Sequence, residues 1–401
     1  MTAVTTSGLP HVRMRPRSSD ESGRVSSPLE LLVDLTFVVA IAQVARELVH
    51  GAEAGHLAEA VLPYGMVFFA IWWAWMNFTW FASGYDTDDV SYRLLTLAQM
   101  AGVLVLAAGV PAAFGAGDYT AVTIGYAVMR GAQVAQWLRV AAAGPEHRRT
   151  ALRNAVGVTL VQVGWVLRLL LPDHLGVASF VVLAGLELAV PLWAARAGGP
   201  GWHPHHIAER YGLFAIILLG ESVLAAVNGV QEALAEGGVS LELVLVAGCA
   251  LVVVFALWWI WWLQPAGELL ESRRDLSYRW GYAHYVVFAA LGALGAGLEV
   301  SVAAVGGHLR ASDVVVGAAV AVPVTLVLVV VWAVHAPLRD GRRTSGRLML
   351  PAAAVVLATP FLALPFGVGG SLVGVAAVCS ALVVAAVAAD RSARPTSAEP
   401  H

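Results

Sequence analysis

The chain reads as long apolar runs broken by short polar clusters. A helix that crosses a bilayer needs about 20 mostly apolar residues. Measured against that length, the sequence predicts twelve crossing helices, near 28–50, 58–82, 90–113, 119–142, 150–171, 176–196, 206–228, 240–264, 277–303, 312–335, 347–365 and 370–389. The first opens on Ser27-Pro28-Leu29-Glu30, with Ser at the N-cap, Pro at the first helical position and Glu three residues past the cap.

Composition agrees with the pattern. Of 401 residues 59% are hydrophobic and 13% charged, and mean hydropathy is +0.74. A soluble domain carries about 25% charged residues, so the bilayer is the expected solvent and partner. Segments 1–27 and 390–401 are polar and read as disordered cytoplasmic tails, and no cleavable leader is expected. A net charge of −3 singles out no partner, and no nucleic-acid partner is expected. Cys249 and Cys379 lie in apolar runs, where buried thiols are expected rather than a disulfide framework.

Arginine placement orients the crossings. Arg13, Arg15, Arg17, Arg24, Arg93, Arg148, Arg149, Arg196, Arg273, Arg274, Arg339, Arg342 and Arg343 fall on one side, and the short loops of the other side carry mainly Arg310. By the positive-inside rule both termini are cytoplasmic.

The sequence also repeats itself. Asp89-Val90-Ser91-Tyr92-Arg93 matches Asp275-Leu276-Ser277-Tyr278-Arg279 at four of five positions. At the same offset Ile71-Trp72-Trp73-Ala74-Trp75 matches Leu257-Trp258-Trp259-Ile260-Trp261. The expected fold is therefore all-α and polytopic, with two parallel six-helix repeats at 28–196 and 206–389 and a linker at 197–205. Transporters often use such repeats. The Trp clusters also fit aromatic belts at the membrane surface.

Ionisable groups within the crossings are the candidates for chemistry, because burying them in lipid is costly. Arg130 stands mid-way along the fourth crossing, on one face with Tyr126, Gln133 and Trp137. It needs a carboxylate or an anionic ligand, since guanidinium keeps its proton. Glu30 and Asp34 lie one turn apart, Glu187 is central in the sixth crossing, and the seventh carries Glu209, Arg210 and Glu221. Arg210 and Glu221 are too far apart along one helix to pair, so each needs a partner elsewhere. Asp86, Asp88 and Asp89 read as N-terminal caps of the third crossing, with Asp89 paired to Arg93 at i, i+4, and Asp89, Arg93, Asp275 and Arg279 read as a repeated structural motif. His203, His205 and His206 match no standard metal-ligand spacing and read as a solvated loop. Asp86, Asp88 and Asp89 lack the spacing of a calcium loop. No metal and no cofactor is expected.

The run Pro28-Leu29-Glu30-Leu31-Leu32-Val33-Asp34-Leu35-Thr36-Phe37-Val38 resembles the opening signature of the bacterial low temperature requirement protein A (LtrA) family. His206-Ile207-Ala208-Glu209-Arg210-Tyr211-Gly212-Leu213-Phe214, with Leu219-Gly220-Glu221-Ser222, resembles its second signature, and Tyr85 to Asp89 with Arg93 its third. The resemblance supports the membrane fold and picks out Glu30, Asp34, Glu209, Arg210 and Glu221; it supplies no substrate. Three functions stay open. One is a secondary transporter or ion conductor for protons or a small or lipophilic substrate. Another is an intramembrane enzyme using carboxylate acid–base chemistry, and the third an envelope sensor or scaffold.

Overall fold

The computed structural model describes residues 12–18, 21, 23–198, 201–264, 266–306, 309–336 and 346–393. Among these every regular element is helical. In chain order they are α1 (Pro28–Glu53), α2 (Leu57–Tyr85), α3 (Val90–Ala108), α4 (Val110–Gly115), α5 (Thr120–Ala143), α6 (Arg148–Arg168) and α7 (Gly176–Ala195). There follow α8 (Pro204–Gly237), α9 (Leu241–Trp262), α10 (Ala266–Ser272), α11 (Ser277–Ala303), α12 (Asp313–His335), α13 (Gly346–Ala358) and α14 (Ala363–Ala393).

By length and composition, nine runs among the described residues are able to cross a membrane. The expected crossings at 119–142 and 150–171 are helical, as α5 and α6, but stand outside that count. Polar residues explain this: α5 carries Gln133 and Gln136 as well as Arg130 and Arg139, and α6 carries Arg148, Arg149, Arg153 and Arg168. The expected crossings at 347–365 and 370–389 fall in one run, Gly346–Ala389, interrupted at Gly367 by a positive φ of 64°. Glycine tolerates that conformation because it has no Cβ.

The chain falls into two compact units, Met1–Val44 with Leu62–Arg210, and Ala45–Val61 with Tyr211–His401. In the first, α3 and α5 touch backbone to backbone. A Cβ on Gly125 would collide with the carbonyl of Gly102 and the amide of Leu106, and one on Gly102 would lie 2.7 Å from the carbonyl of Gly125. Small residues let membrane helices approach this closely. α5 packs on α6 and α6 on α7. Leu160, Val181 and Val182 stay more than 60% exposed. Val181 and Val182 belong to α7, within one of the nine runs able to cross a membrane, and apolar side chains left outside a packed bundle on such a helix imply contact with the bilayer.

The second unit packs α11 against α12, where a Cβ on Gly297 would strike the backbone of Ala319, and α9 against α14. Its centre is aromatic: Tyr211, Trp280, His284 and Phe288 stack within 4.1–5.6 Å of one another in sequence along the cluster. Cys379 is fully buried and Cys249 half-buried.

The expected disorder of 1–27 does not fit its described residues. Met14 joins a core with Phe81, Tyr85, Tyr92, Val140 and Ala151. Arg24, itself buried, donates from Nη1 to the carbonyl of Ser83 and from Nη2 to that of Ala82, both at 2.9 Å, and the Arg17 amide donates to the carbonyl of Gly84. These are the orphan carbonyls that end α2, and a cation there complements the helix dipole. Asp86, just beyond, is pushed up to about 6 by burial and by the charge of Glu30, against the pull of Arg17 and Arg24. Of the basic residues that oriented the crossings, Arg339, Arg342 and Arg343 lie outside the described residues, as do linker residues Gly199 and Pro200 and the stretch 394–401.

Candidate functional site

Two clusters of buried charge lie in the first unit. One joins the start of α1 to the start of α8. The cap at Ser27 forms a reciprocal box: the Ser27 amide donates to Glu30 Oε2 at 2.8 Å, and the Glu30 amide donates to Ser27 Oγ at 3.3 Å. The other oxygen of Glu30 lies 3.1 Å from His206 Nε2. One turn on, Asp34 Oδ1 accepts from Arg210 Nη2 at 2.6 Å and from Trp75 Nε1 at 2.7 Å. Glu30 and Asp34 are i, i+4 on α1, and His206 and Arg210 are i, i+4 on α8, so each pair shares a face. The result is a two-rung ladder of acid and base. Glu30 is 1% exposed, and Asp34, His206 and Arg210 are fully buried. The amino-terminal ends of helices favour anions and oppose cations. The carboxylates of α1 offset that penalty for the two basic groups of α8. Polar capacity is left over: Asp34 Oδ2, Arg210 Nε and Nη1, and His206 Nδ1 are buried without a partner among the described residues.

The second cluster is a knot on Glu187 of α7, which is fully buried. Its carboxylate accepts from Trp73 Nε1 of α2 at 2.8 Å, Tyr126 Oη of α5 at 2.8 Å, Arg130 Nη2 of α5 at 2.9 Å and Trp165 Nε1 of α6 at 3.3 Å. Arg130 also lies over the ring of Tyr126, 5.7 Å from its centre. Glu187 is thus the carboxylate that Arg130 requires, and four helices meet at it.

α2 serves both clusters. Trp73 and Trp75 are two residues apart, so they project about 200° apart around the helix, one toward Glu187 and one toward Asp34. Both are fully buried, so the belt reading fails for α2. It suits α9, where Trp258, Trp259 and Trp262 stay 44–48% exposed. The two repeat-matched Trp clusters therefore have different surroundings.

The remaining candidates are placed as follows. Glu209 accepts from the Ser26 amide at 3.3 Å, beside the ladder. Glu221 is half-buried rather than enclosed, and the charge it feels is that of Arg46. Asp89 is the N-cap of α3, accepting from the Tyr92 amide, but its ionic partner is Arg139 at 2.6 Å and not Arg93. Arg93 turns back to Asp88 at 2.7 Å. A long side chain at i+4 was within reach, but Asp89 is buried, and its Oδ2 accepts from Arg139 Nη2 and from the Val12 amide, each at 2.6 Å. Asp275 pairs locally with Arg273, and Arg279 is exposed.

The histidines correct the solvated-loop reading. His203 is buried and bonds the carbonyl of Glu21 at 2.9 Å, His206 completes the ladder, and His205 alone is exposed. Sequence reasoning therefore missed His206, Trp73, Trp75 and Trp165. The available signal was spacing: His206 and Arg210 repeat the four-residue interval of Glu30 and Asp34.

The family model described as Bacterial low temperature requirement A protein (LtrA) matches residues 25–389. A protein of Rhizobium meliloti (strain 1021) bearing the name "Uncharacterized protein RA0937" is 28% identical over 301 residues, covering 70% of this chain and 71% of that protein.

Proposed function

The chain belongs to the bacterial low temperature requirement A family, and from that premise we propose that it is a proton-coupled secondary transporter with the α1–α8 ladder as its coupling element. The observation that carries this reading is the pairing of two buried carboxylates with two buried bases across two helices. Of the four groups, only imidazole ordinarily changes charge near neutral pH, which makes the Glu30–His206 rung the entry. Asp34 lies one turn deeper, about 6 Å along the axis. Its unpartnered Oδ2 is where a proton would land. Protonating Asp34 leaves Arg210 without its anion, so the two protonation states favour different arrangements of α1 against α8. Such a differential interaction is what drives a conformational change.

The same reading keeps the twelve expected crossings, in two parallel repeats, with both termini cytoplasmic. α5 then crosses because Glu187 neutralises Arg130 inside the bundle, and α6 because its arginines sit toward its ends, where long basic side chains reach the membrane surface. Glu209 and Glu221 lie outside the ladder, as accessory candidates.

Purified protein in liposomes with an internal pH dye tests the proposal. Wild type should move protons when a substrate is added, and Asp34→Asn and Glu30→Gln should abolish that movement while the protein stays folded. Wild type that transports a substrate with no proton movement defeats the coupling role. The free oxygen of Asp34 also suits a general base, which keeps an intramembrane enzyme as the second reading. In that case Asp34→Asn stops turnover and leaves ion flux unchanged. Variants with wild-type behaviour in both assays would favour a sensor or scaffold.

A further inference from the structure

Beside the Glu187 knot, a groove of about 310 Å³ runs between α5 and α6. Such a volume is at the lower end of small-molecule sites. Its walls include Val134, Val163, Val166 and Leu167, and its polar lining includes Arg130 and Gln162. Val163, Val166 and Leu167 are about half exposed, on the apolar side of the unit that faces lipid. On the reading above that α5 and α6 cross the membrane, on which this inference rests, the groove opens toward hydrocarbon.

Its polar groups are unsatisfied. Arg130 is 2% exposed, spends Nη2 on Glu187, and leaves Nε and Nη1 with no partner among the described residues. Gln162 leaves both its amide oxygen and its amide nitrogen buried and unpaired. A buried donor without an acceptor costs about 1–3 kcal/mol, more when charged. In hydrocarbon no water is at hand to fill the role.

Charge decides what fits. Arg130 is already neutralised by Glu187 at 2.9 Å. A second anion would leave one net negative charge buried at membrane depth, which is strongly disfavoured. A neutral acceptor oxygen adds hydrogen bonds and no charge. We propose that the α5–α6 groove is a lateral binding site for an uncharged, single-chain lipophile with a carbonyl head. Its oxygen accepts from Arg130 and from the Gln162 amide nitrogen, and its chain lies along Val163, Val166 and Leu167. The site stands whether or not the ladder couples transport.

Photo-crosslinking of the full-length protein in nanodiscs tests it, with a diazirine-bearing tetradecanamide as the probe. Crosslinks should map to α5 and α6 around Val134 and Val163–Leu167. Unlabelled tetradecanamide should compete at least tenfold better than tetradecanoate or tetradecane. Removing Arg130 risks unfolding, so the blocking variant is Gly131→Leu, because a Cβ at Gly131 meets nothing within 4 Å and the added side chain enters open space at the groove. Gly131→Leu should lose most groove labelling, and Gln162→Leu should weaken it several-fold. Labelling spread evenly over the lipid-facing helices, labelling untouched by Gly131→Leu, or better competition by tetradecanoate than by the amide would each overturn the proposal.

Discussion

Single residues here carry several obligations at once, and that sets what their substitution does. Glu187 holds four donors, so Glu187→Gln leaves Arg130 charged and unpaired while weakening three further bonds. Breaking a buried ion pair from one side costs about 3–5 kcal/mol, and Glu187→Gln should lower stability in detergent by at least that much. The double variant Arg130→Leu/Glu187→Leu should recover only part of the loss, because Trp73, Tyr126 and Trp165 would still lack an acceptor. Full recovery in chemical denaturation would mean that the aromatic donors add little. Asp86 makes a prediction in pH. Its folded value of about 6 lies above the 3.8 of an ordinary aspartate, so between those values the folded state holds more proton than the unfolded one. Stability from this group is present below about pH 4 and falls as pH rises toward 6. Asp86→Asn should flatten that slope in a pH series of melting temperatures.

At the level of elements, the close approach of α3 and α5 sets the position of everything on α5. Gly125→Leu should drive the two backbones apart, move Arg130 away from Glu187, and cost well over 2 kcal/mol in thermal denaturation. A chain that keeps wild-type stability would show that the contact is slack. Elements were also where the sequence was most readable. The apolar runs marked the helices, and Ser27 with Glu30 marked the start of α1 because capping is local chemistry. The ladder was half readable: Glu30, Asp34 and Arg210 stood out as charges in apolar runs, whereas His206 sat among two other histidines and took its meaning from a helix 176 residues away from its rung. Trp73 and Trp259 occupy matched places in two similar sequence runs, and tertiary packing buries one and exposes the other. Arg139 took the place of Arg93 for the same reason: the partner of Asp89 comes from across the bundle.

Across the whole molecule, the ladder joins the first helix of the chain to one that begins past its midpoint, and this imposes an order on synthesis. Asp34 and Arg210 are 176 residues apart. At about 5–20 residues per second, α1 leaves the ribosome roughly 10–35 s before its basic partners exist. For that interval Glu30 and Asp34 have no cation from α8 to meet. A nascent α1 with its carboxylates unpaired should therefore stay shallow or remain with the insertion machinery until α8 arrives. Chains truncated before residue 204 should insert α1 poorly in a glycosylation-mapping assay, and Asp34→Asn should improve that insertion. Equal insertion of both would mean that α1 is apolar enough to enter alone. Arg130 waits less, 57 residues ahead of Glu187, and emerges after Trp73 and alongside Tyr126. The anion that ties this knot is the last of its members to be made, so the knot is complete in the chain only once α7 has been synthesised, before the basic groups of α8 exist.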